Sequence, residues 1–300
     1  WNEFSRHPTQ RYTFAAERFW RFASITKTRS WANGPSSDVA NTKISVQVVT
    51  GGHPFVADAF FAVFDSIDNI TWTAADTPSI GYDVVVFYDM PGLKFTGGNP
   101  PVDLPAPTAE HIKVLSDLQD AGTGLVFMHH ALASWPMWDG FADLVGGRFH
   151  YQPATLRGVS YPDSGYVFDV EHTIEVIDSD HPMCEGLGSS FTLTDELYCC
   201  PVFEDEVIPL MRTTFATDDP KNFFSADLAI RGQRNSNENW THPAGSNLVA
   251  WVKKAKNAPL AYIQFGDGPV TYIDPMFRKV IANAITWTAS AQARAWVSSN

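Results

Sequence analysis

Cysteine is scarce in this chain of 300 residues, which contains three: Cys184, Cys199 and Cys200. Three thiols cannot build the disulfide framework on which small secreted domains depend. One bridge from Cys184 to either of the other two stays open, and buried free thiols are the interpretation that we favour. We therefore look to the hydrophobic core for what holds the fold together.

Positive charge and long apolar runs are also in short supply. Lys and Arg number 21 against 33 Asp and Glu, which gives a formal net charge of −12 and a pI near 5.1. Such an acidic chain is a poor match for nucleic acid or an anionic membrane. No apolar run approaches the roughly 20 residues of a membrane span. We expect a soluble protein, and the compartment stays open between the cytoplasm and secretion after removal of a leader.

Hydrophobic residues make up 44% of the chain and include ten Trp, which is ample material for a core. Neither an internal repeat nor an interdomain linker is visible, so we predict one domain over residues 43–290. An aromatic arm of residues 1–42 precedes it, and a tail of residues 291–300 follows. Because the arm cannot bury its aromatic residues alone, we expect it to pack on the domain or on a second subunit, as a homodimer.

Predicted strands alternate with predicted helices in the first half of the domain. Residues 43–50 are β-branched and alternating, whereas residues 82–88 and 125–128 lie in continuous apolar runs. Continuous apolar runs are typical of parallel strands that are buried on both faces. We therefore predict an α/β fold with these three strands adjacent or nearly so, and with residues 125–128 central.

The same periodicities predict the remaining elements. Helices are expected over residues 56–67, 109–121 and 277–287, and strands over residues 69–73, 166–170, 173–176, 191–194, 207–212, 248–251, 260–265 and 270–273.

Two neighbouring histidines follow the predicted central strand. His129 and His130 precede a helix predicted over residues 135–145, which ends at a Gly146–Gly147 cap. In open α/β sheets, ligands bind outside the carboxyl ends of the strands. Neighbouring side chains diverge, so we expect His130 to face the site and His129 to lie in the core. An imidazole suits acid–base catalysis and divalent metals equally well.

Further candidates follow other predicted strands. Gly52 and His53 follow the first strand, where glycine lets the backbone approach a ligand; a purely structural turn is the alternative. Glu196 and Tyr198 follow the strand of residues 191–194. The carboxylate can act as a base or metal ligand and the phenol as an acid. The alternative is a turn in which Asp195 caps the backbone.

Three side chains in and after the helix of residues 135–145 are candidates for substrate binding. Trp135 can stack on the apolar face of a sugar or simply pack in the core. Arg148 can clamp a carboxylate, and the alternative is a salt bridge to Asp139 or Asp143. His150 follows Arg148 closely and joins the set of candidates.

The ordered motifs resemble the ThuA-like (trehalose utilisation) family over residues 43–288. They read GGHPF, GLVFMHH, GGRF, DHP, DELY and NAITW. The resemblance implies a flavodoxin-like three-layer sandwich with a mostly parallel central sheet and antiparallel additions, related to class I glutamine amidotransferases. Those relatives carry a nucleophilic Cys at the elbow where this chain has His129 and His130. Amidotransferase chemistry is therefore not expected.

The chain also departs from the family pattern. Gln152 stands where members often carry a second His after GGRF, and Asp274 and Pro275 stand where a Gly-His pair is common. The family is associated with the catabolism of sugars, especially oxidised (keto) disaccharides. The resemblance therefore implies a small-molecule carbohydrate as partner, with one wall of the usual site altered.

Two functions are expected from these residues. The first is an enzyme, of the sugar isomerase or lyase type, that abstracts a proton from an oxidised (keto or uronate) sugar or glycoside. Its catalytic residues would be His53, His130, Glu196 and Tyr198. No cofactor is certain, and a divalent metal held by His53, His130, His150 or Glu196 stays open. The second is a non-catalytic carbohydrate-binding or structural protein on the same fold.

Overall fold

The computed structural model describes residues 43–299. The predicted N-terminal arm of residues 1–42 lies outside this range, so the arm and the dimer remain predictions.

Strands and helices account for most of the described chain. The strands are β1 Ile44–Gly51, β2 Ile70–Ala75, β3 Val84–Asp89, β4 Lys94–Phe95, β5 Val102–Asp103, β6 Gly124–Met128, β7 Ala154–Leu156, β8 Val159–Tyr161, β9 Gly165–Val176, β10 Ser190–Cys199, β11 Ile208–Thr213, β12 Phe224–Ser225, β13 Leu248–Ala255 and β14 Ala258–Ile263. The α-helices are α1 Ala57–Asp65, α2 Ala109–Asp120, α3 Asp139–Val145, α4 Ala226–Ile230, α5 Pro269–Tyr272, α6 Pro275–Thr288 and α7 Ala291–Ser298. Short 3-10 helices span His129–Ala133, Pro182–Cys184 and Pro220–Asn222.

One large sheet organises the described residues. Its strand order is β10-β9-β11-β13-β14-β6-β3-β1-β2, and β12 pairs with β9 outside this path. The five strands from β14 to β2 run parallel. The other pairs of this sheet are antiparallel. The predicted α/β class, with a parallel centre and antiparallel additions, is confirmed. The predicted adjacency of β1, β3 and β6 and the interior position of β6 are confirmed as well.

Helices cover both faces of the parallel half, as its apolar strands require. All residues of β3 and β6 are buried. Val126 and Met128 of β6 share a core with α1, α6 and α7, whereas Leu125 and Phe127 share a second core with α2 and α3. The result is a three-layer arrangement with the carboxyl ends of the parallel strands at one edge.

Two predicted helix ends have the expected chemistry. Thr108 precedes α2, and its side chain accepts a hydrogen bond from the backbone N–H of His111. Gly146 ends α3 with a left-handed backbone, φ 97°.

The helix predicted over residues 135–145 is wrong in its first half. A 3-10 helix, His129–Ala133, follows β6 directly, and α3 begins only at Asp139. Trp135 has a left-handed φ of 49°, and Pro136 follows it. Because proline disfavours the right-handed helical region for the residue before it, the helix does not extend back through Trp135.

Other differences lie in the second half of the chain. The strand predicted over residues 270–273 is wrong, because Pro269 occupies the first turn of α5 after Gly268. The predicted tail contains α7, which Ser290 caps by accepting a hydrogen bond from Ala293 N–H. The two strands predicted between residues 166 and 176 form the single strand β9. Asp195–Tyr198 lie within β10 instead of following it.

Across residues 43–299, none of the helices combines the length and the apolar character needed to cross a membrane.

Candidate functional site

The candidate site is built around His129, the first residue after the central strand β6. Its backbone has a left-handed φ of 49°, a conformation that is costly for any residue with a Cβ. Nδ1 of its fully buried ring lies 2.7 Å from the carbonyl oxygen of Gln264, just beyond β14. Tyr262 on β14 donates a hydrogen bond to the His129 carbonyl at 2.9 Å. The neighbouring strand therefore fixes both the ring and the backbone.

Glu196 brings a carboxylate to this ring. Its Oε2 lies 3.0 Å from Nε2 of His129, and the residue is 7% exposed. The pairing of β10 with β9 shifts register between Asp195 and Leu197, so Glu196 lies at a β-bulge. A bulge redirects a side chain that regular pleating would turn elsewhere. Gln264 holds the bulge by donating from Nε2 to the Glu196 carbonyl at 2.9 Å.

Asp267 supplies the second carboxylate, from the loop after β14. Its Oδ1 lies 3.4 Å from Nε2 of His129. The loop is fixed because the carboxylate of Asp195 accepts hydrogen bonds from the backbone N–H groups of Gly266, at 2.6 Å, and Asp267, at 3.0 Å. The Asp267 side chain is 32% exposed, so the cluster reaches solvent on this side.

Tyr198 completes the set from the same strand as Glu196. Its hydroxyl lies 2.8 Å from Nε2 of His129, and its ring stacks on the imidazole with the centroids 5.0 Å apart. Three oxygen-bearing side chains therefore converge on one nitrogen atom. We refer to His129, Glu196, Tyr198 and Asp267 as the His129 cluster.

The electrostatics of the cluster favour a shared proton. Burial raises the pKa of Glu196 to about 7, although the neighbouring His129 acts in the opposite direction. Burial acts to lower the pKa of His129, but hydrogen bonds to Asp267 and Glu196 outweigh it and hold this pKa well above the ordinary value. Burial likewise acts to raise the pKa of Asp267, but the hydrogen bond and the charge of His129 outweigh the effect of burial. The pKa of Asp267 is therefore lowered. The cluster can therefore hold or release a proton near neutral pH.

His53 and His130 form a second layer beside the cluster. Their rings stack with the centroids 4.4 Å apart, and Nε2 of His130 lies 3.0 Å from the Tyr88 carbonyl oxygen. Burial lowers the pKa of His53 to about 4 and that of His130 well below its ordinary value; nearby imidazoles, His129 among them, act in the same direction. Both rings are therefore neutral at pH 7.

The structure reverses the assignment expected for the adjacent histidines. His129 contacts Glu196, whereas His130 packs between His53 and Tyr88, with its ring centroid 4.3 Å from that of the tyrosine. The left-handed backbone of His129 turns its side chain toward the strand ends, which alternation along a regular strand would not do. His53, His130 and Glu196 are nevertheless brought to one region around His129.

Arg148 has the structural role that was the alternative to substrate binding. The residue is 1% exposed, and its guanidinium donates to Asp139 at 3.1 Å and to the carbonyls of Pro136, at 3.0 Å, and Trp138, at 2.6 Å. These contacts favour the alternative to a clamp on a substrate carboxylate, because the side chain is buried and ties together the turn before α3.

Two other predicted binding residues, His150 and Trp135, also lie apart from the carboxylates. His150 is buried beside Arg148 and His242, and its pKa is lowered to about 4 chiefly by burial. Trp135 is 7% exposed and lines a cavity of about 40 Å³, which Asp89 also lines. A second cavity, of about 450 Å³, lies around His172. Neither cavity includes a member of the His129 cluster.

Gly52 lies in the exposed turn before His53. Its φ of 76° is left-handed, and a Cβ on this residue would overlap the carbonyl oxygen of Met90. The close approach of two backbones explains glycine at this position.

The cluster also has the composition of a metal site. The ligand atoms of His129, Glu196 and Asp267 all lie within 4.8 Å of one another. A divalent cation about 2.1 Å from each ligand of a tetrahedral site sets the ligand atoms about 3.4 Å apart. Nε2 of His129 lies 3.0 Å from the Glu196 carboxylate and 3.4 Å from that of Asp267. The hydrogen bond from His129 Nδ1–H to the Gln264 carbonyl is the outer contact that metal-binding histidines usually make. Of the predicted metal candidates, only Glu196 belongs to this set.

Comparison with known proteins is consistent with this architecture. Residues 75–288 match the sequence model of ThuA, described as Trehalose utilisation. The chain belongs to the ThuA family. A comparison with curated proteins gives no match.

Two solved structures share the ThuA-like fold. A protein from Parabacteroides merdae described as ThuA-like is 14% identical, with a TM-score of 0.59 over 83% of this chain and 90% of its own. A second, from Bacteroides uniformis, is 17% identical, with a TM-score of 0.53 over 85% of this chain and 95% of its own. At these identities the similarity shows the fold alone.

Proposed function

We propose that this ThuA-family protein is a carbohydrate-active enzyme that removes a proton next to the carbonyl of an oxidised sugar, either a keto sugar or a uronate. The observation that carries the proposal is the 3.0 Å approach of the buried Glu196 carboxylate to Nε2 of His129. The family description, Trehalose utilisation, supports a sugar or glycoside as the substrate class.

Glu196 is the base. A general base works best when its pKa lies near the working pH, and burial brings the pKa of Glu196 to about 7. The proton leaves the carbon next to the substrate carbonyl for the carboxylate, and the electron pair of the C–H bond passes into an enolate. The partly exposed Asp267 and the exposed turn at Gly52 mark the side from which the substrate enters.

His129 and Tyr198 stabilise the enolate oxygen. The raised pKa of His129 keeps the imidazole protonated, and the Tyr198 hydroxyl provides a second donor 2.8 Å from Nε2. Donors fixed in advance in a water-poor site are an effective way to stabilise such a charge. In a keto sugar, return of the proton to the former carbonyl carbon gives isomerisation, as the proton of the neighbouring hydroxyl passes to the enolate oxygen and the carbonyl moves to that neighbouring carbon. Loss of an alkoxide from the β carbon, with a proton from the site, gives elimination.

Solvent exchange tests this proposal directly. The protein is incubated in D₂O with keto-trehalose, a uronate glycoside and, as a control without a carbonyl, trehalose. We expect NMR to show deuterium at the carbon next to the carbonyl in an oxidised sugar and none in trehalose. Binding of the oxidised sugars without exchange or turnover would overturn the proposal in favour of a non-catalytic carbohydrate-binding protein.

A second candidate is a metal-dependent version of the same centre. It is favoured by one observation: the carboxylates of Glu196 and Asp267 both approach Nε2 of His129, and Asp195, which precedes Glu196, adds a third carboxylate that binds the backbone N–H groups of Gly266 and Asp267. A divalent cation would compensate this excess of negative charge, held by His129, Glu196 and Asp267, and would polarise the carbonyl. Exchange that stops after chelation and returns with one equivalent of Mn²⁺ or Zn²⁺ supports this version. Full activity of metal-free protein supports the proton-only version.

A further inference from the structure

A continuous row of aromatic rings connects the surface with the His129 cluster. Phe95 contacts Tyr151 at a centroid distance of 5.2 Å, and Tyr151 contacts Phe149 at 5.2 Å. Phe149 contacts Tyr198 at 4.7 Å, and Tyr198 stacks on His129 at 5.0 Å. The outer end of this row is not needed for the proton transfer, so its exposure requires another explanation.

Phe95 is the exposed end of the row. It is 42% exposed, although it lies on the short hairpin of β4 and β5 directly opposite Val102, which is 2% exposed. The backbone N–H of Thr96 donates to the Pro101 carbonyl at 3.0 Å and closes the hairpin. Val102 therefore anchors the hairpin while the Phe95 ring stays at the surface.

Tyr151 connects this surface to the charged centre. Its hydroxyl donates to the sulfur of Met90 at 3.8 Å, and the ring is only partly buried. Its pKa is raised first by burial and next by the negative charges of Glu196 and Asp267. The phenol therefore lies within the field of both carboxylates, and its ring contacts Phe95 on one side and Phe149 on the other.

We propose that Phe95 and Tyr151 form a binding subsite for the apolar face of the substrate's sugar ring, an inference that rests on the proposed function. Sugar rings present a face of C–H groups that packs on aromatic rings, and aromatic contacts are rigid and contribute strongly to binding. We refer to the surface formed by Phe95 and Tyr151 as the wall. When one ring of a glycoside packs on the wall, the oxidised ring is free to reach Glu196. Phe95 and Tyr151 then determine the preference for a glycoside over a single sugar.

Kinetics on single variants test the wall. Phe95→Ala and Phe95→Leu should each raise KM for a keto-trehalose about tenfold, the scale of one aromatic contact, with kcat changed less than about twofold. Phe95→Tyr should restore the wild-type KM. Phe168→Ala is the matched control, since Phe168 is 38% exposed and also packs on a tyrosine, Tyr166, at 5.0 Å on β9.

The two proposals fail in different ways. If turnover depends on Glu196 but Phe95→Ala leaves KM unchanged, the wall is overturned and the enzyme proposal stands. If the wild type turns over no oxidised sugar, saturation-transfer NMR with trehalose decides the wall alone. Trehalose binding that is lost in Phe95→Ala and kept in Phe168→Ala supports it. Equal binding by both variants, or no binding by the wild type, overturns it.

Discussion

Glu196 lies 3.0 Å from His129 although their strands are far apart in the sheet. His129 follows the central strand β6, whereas Glu196 belongs to β10, the edge strand beyond β9, β11, β13 and β14. The bulge of β10 and the hydrogen bonds that Asp195 accepts from the loop after β14 bring the middle of β10 back across the carboxyl ends of the parallel strands. The antiparallel addition therefore completes the site that the parallel half begins.

Replacement of the base gives the first prediction. Glu196→Gln keeps the size of the side chain but cannot accept the substrate proton, so kcat should fall on the order of 10²-fold or more. The melting temperature should show that the fold persists. Glu175→Gln, at an exposed position on the neighbouring β9, is the control and should leave kcat unchanged. A Glu196→Gln variant with normal turnover would remove Glu196 from the mechanism.

The pH dependence of kcat/KM gives the second. Glu196 must be ionised to act as a base, and its pKa is raised to about 7, so kcat/KM should rise with pH up to about 7 and then level off. His129 must stay protonated to stabilise the enolate, and its raised pKa places the fall at still higher pH. Because Glu196 and His129 titrate as a coupled pair, the pKa values of the acid and alkaline limbs of the pH profile describe the pair and not either residue alone. An acid limb centred near 4.5, the ordinary value for glutamate, would contradict this assignment.

The third prediction concerns the two adjacent histidines, His129 and His130. Asparagine tolerates the left-handed backbone of His129 and can still donate to the Gln264 carbonyl, but it has no titratable nitrogen. His129→Asn should therefore lower kcat by about 10²-fold or more with little loss of stability. His130→Asn, which leaves the carboxylate contacts intact, should have the smaller effect on kcat. The opposite order would return the catalytic role to His130.

These residues also show what the sequence could predict. The buried strands β3 and β6 are visible as apolar runs, and Glu196 and Tyr198, selected from the sequence for their chemistry, both lie in the His129 cluster. The left-handed φ of His129 determines which of the two histidines contacts Glu196, and the hydrophobic periodicity of the sequence does not indicate such a backbone conformation. Asp267 was missed as a site residue, although a carboxylate just after a strand that pairs with β6 is a signal that the strand-end rule provides.

Thiol chemistry gives the fourth prediction. All three cysteines are buried and free, and burial raises the pKa of Cys184 and of Cys199 to about 12 and that of Cys200 further still. Thiolates are the reactive species, so iodoacetamide at pH 7.5 should leave the native protein unmodified and active. Mass spectrometry measures the alkylation, and the protein unfolded in urea is the control that should react at all three. Rapid inactivation with one alkyl group per chain would show that a thiol is exposed and needed.

The turn that carries His53 gives the last prediction, with a control that separates two causes. Gly52→Ala places an alanine in the left-handed backbone conformation, which costs about 1 kcal/mol. Its methyl group also overlaps the carbonyl oxygen of Met90. Because both partners are backbone, neither can move without displacing the loop. The free energy of unfolding, measured by urea denaturation, should therefore fall by about 3 kcal/mol. Gly97 has a similar φ, 66°, but a Cβ at this position meets no atom within 4 Å, so Gly97→Ala should lower the free energy of unfolding by about 1 kcal/mol or less.

Since the displaced loop carries His53 beside the His129 cluster, Gly52→Ala should also lower turnover in the protein that remains folded, whereas Gly97→Ala should not. Equal losses of stability in the two variants would mean that the approach of Gly52 to Met90 does not constrain the turn.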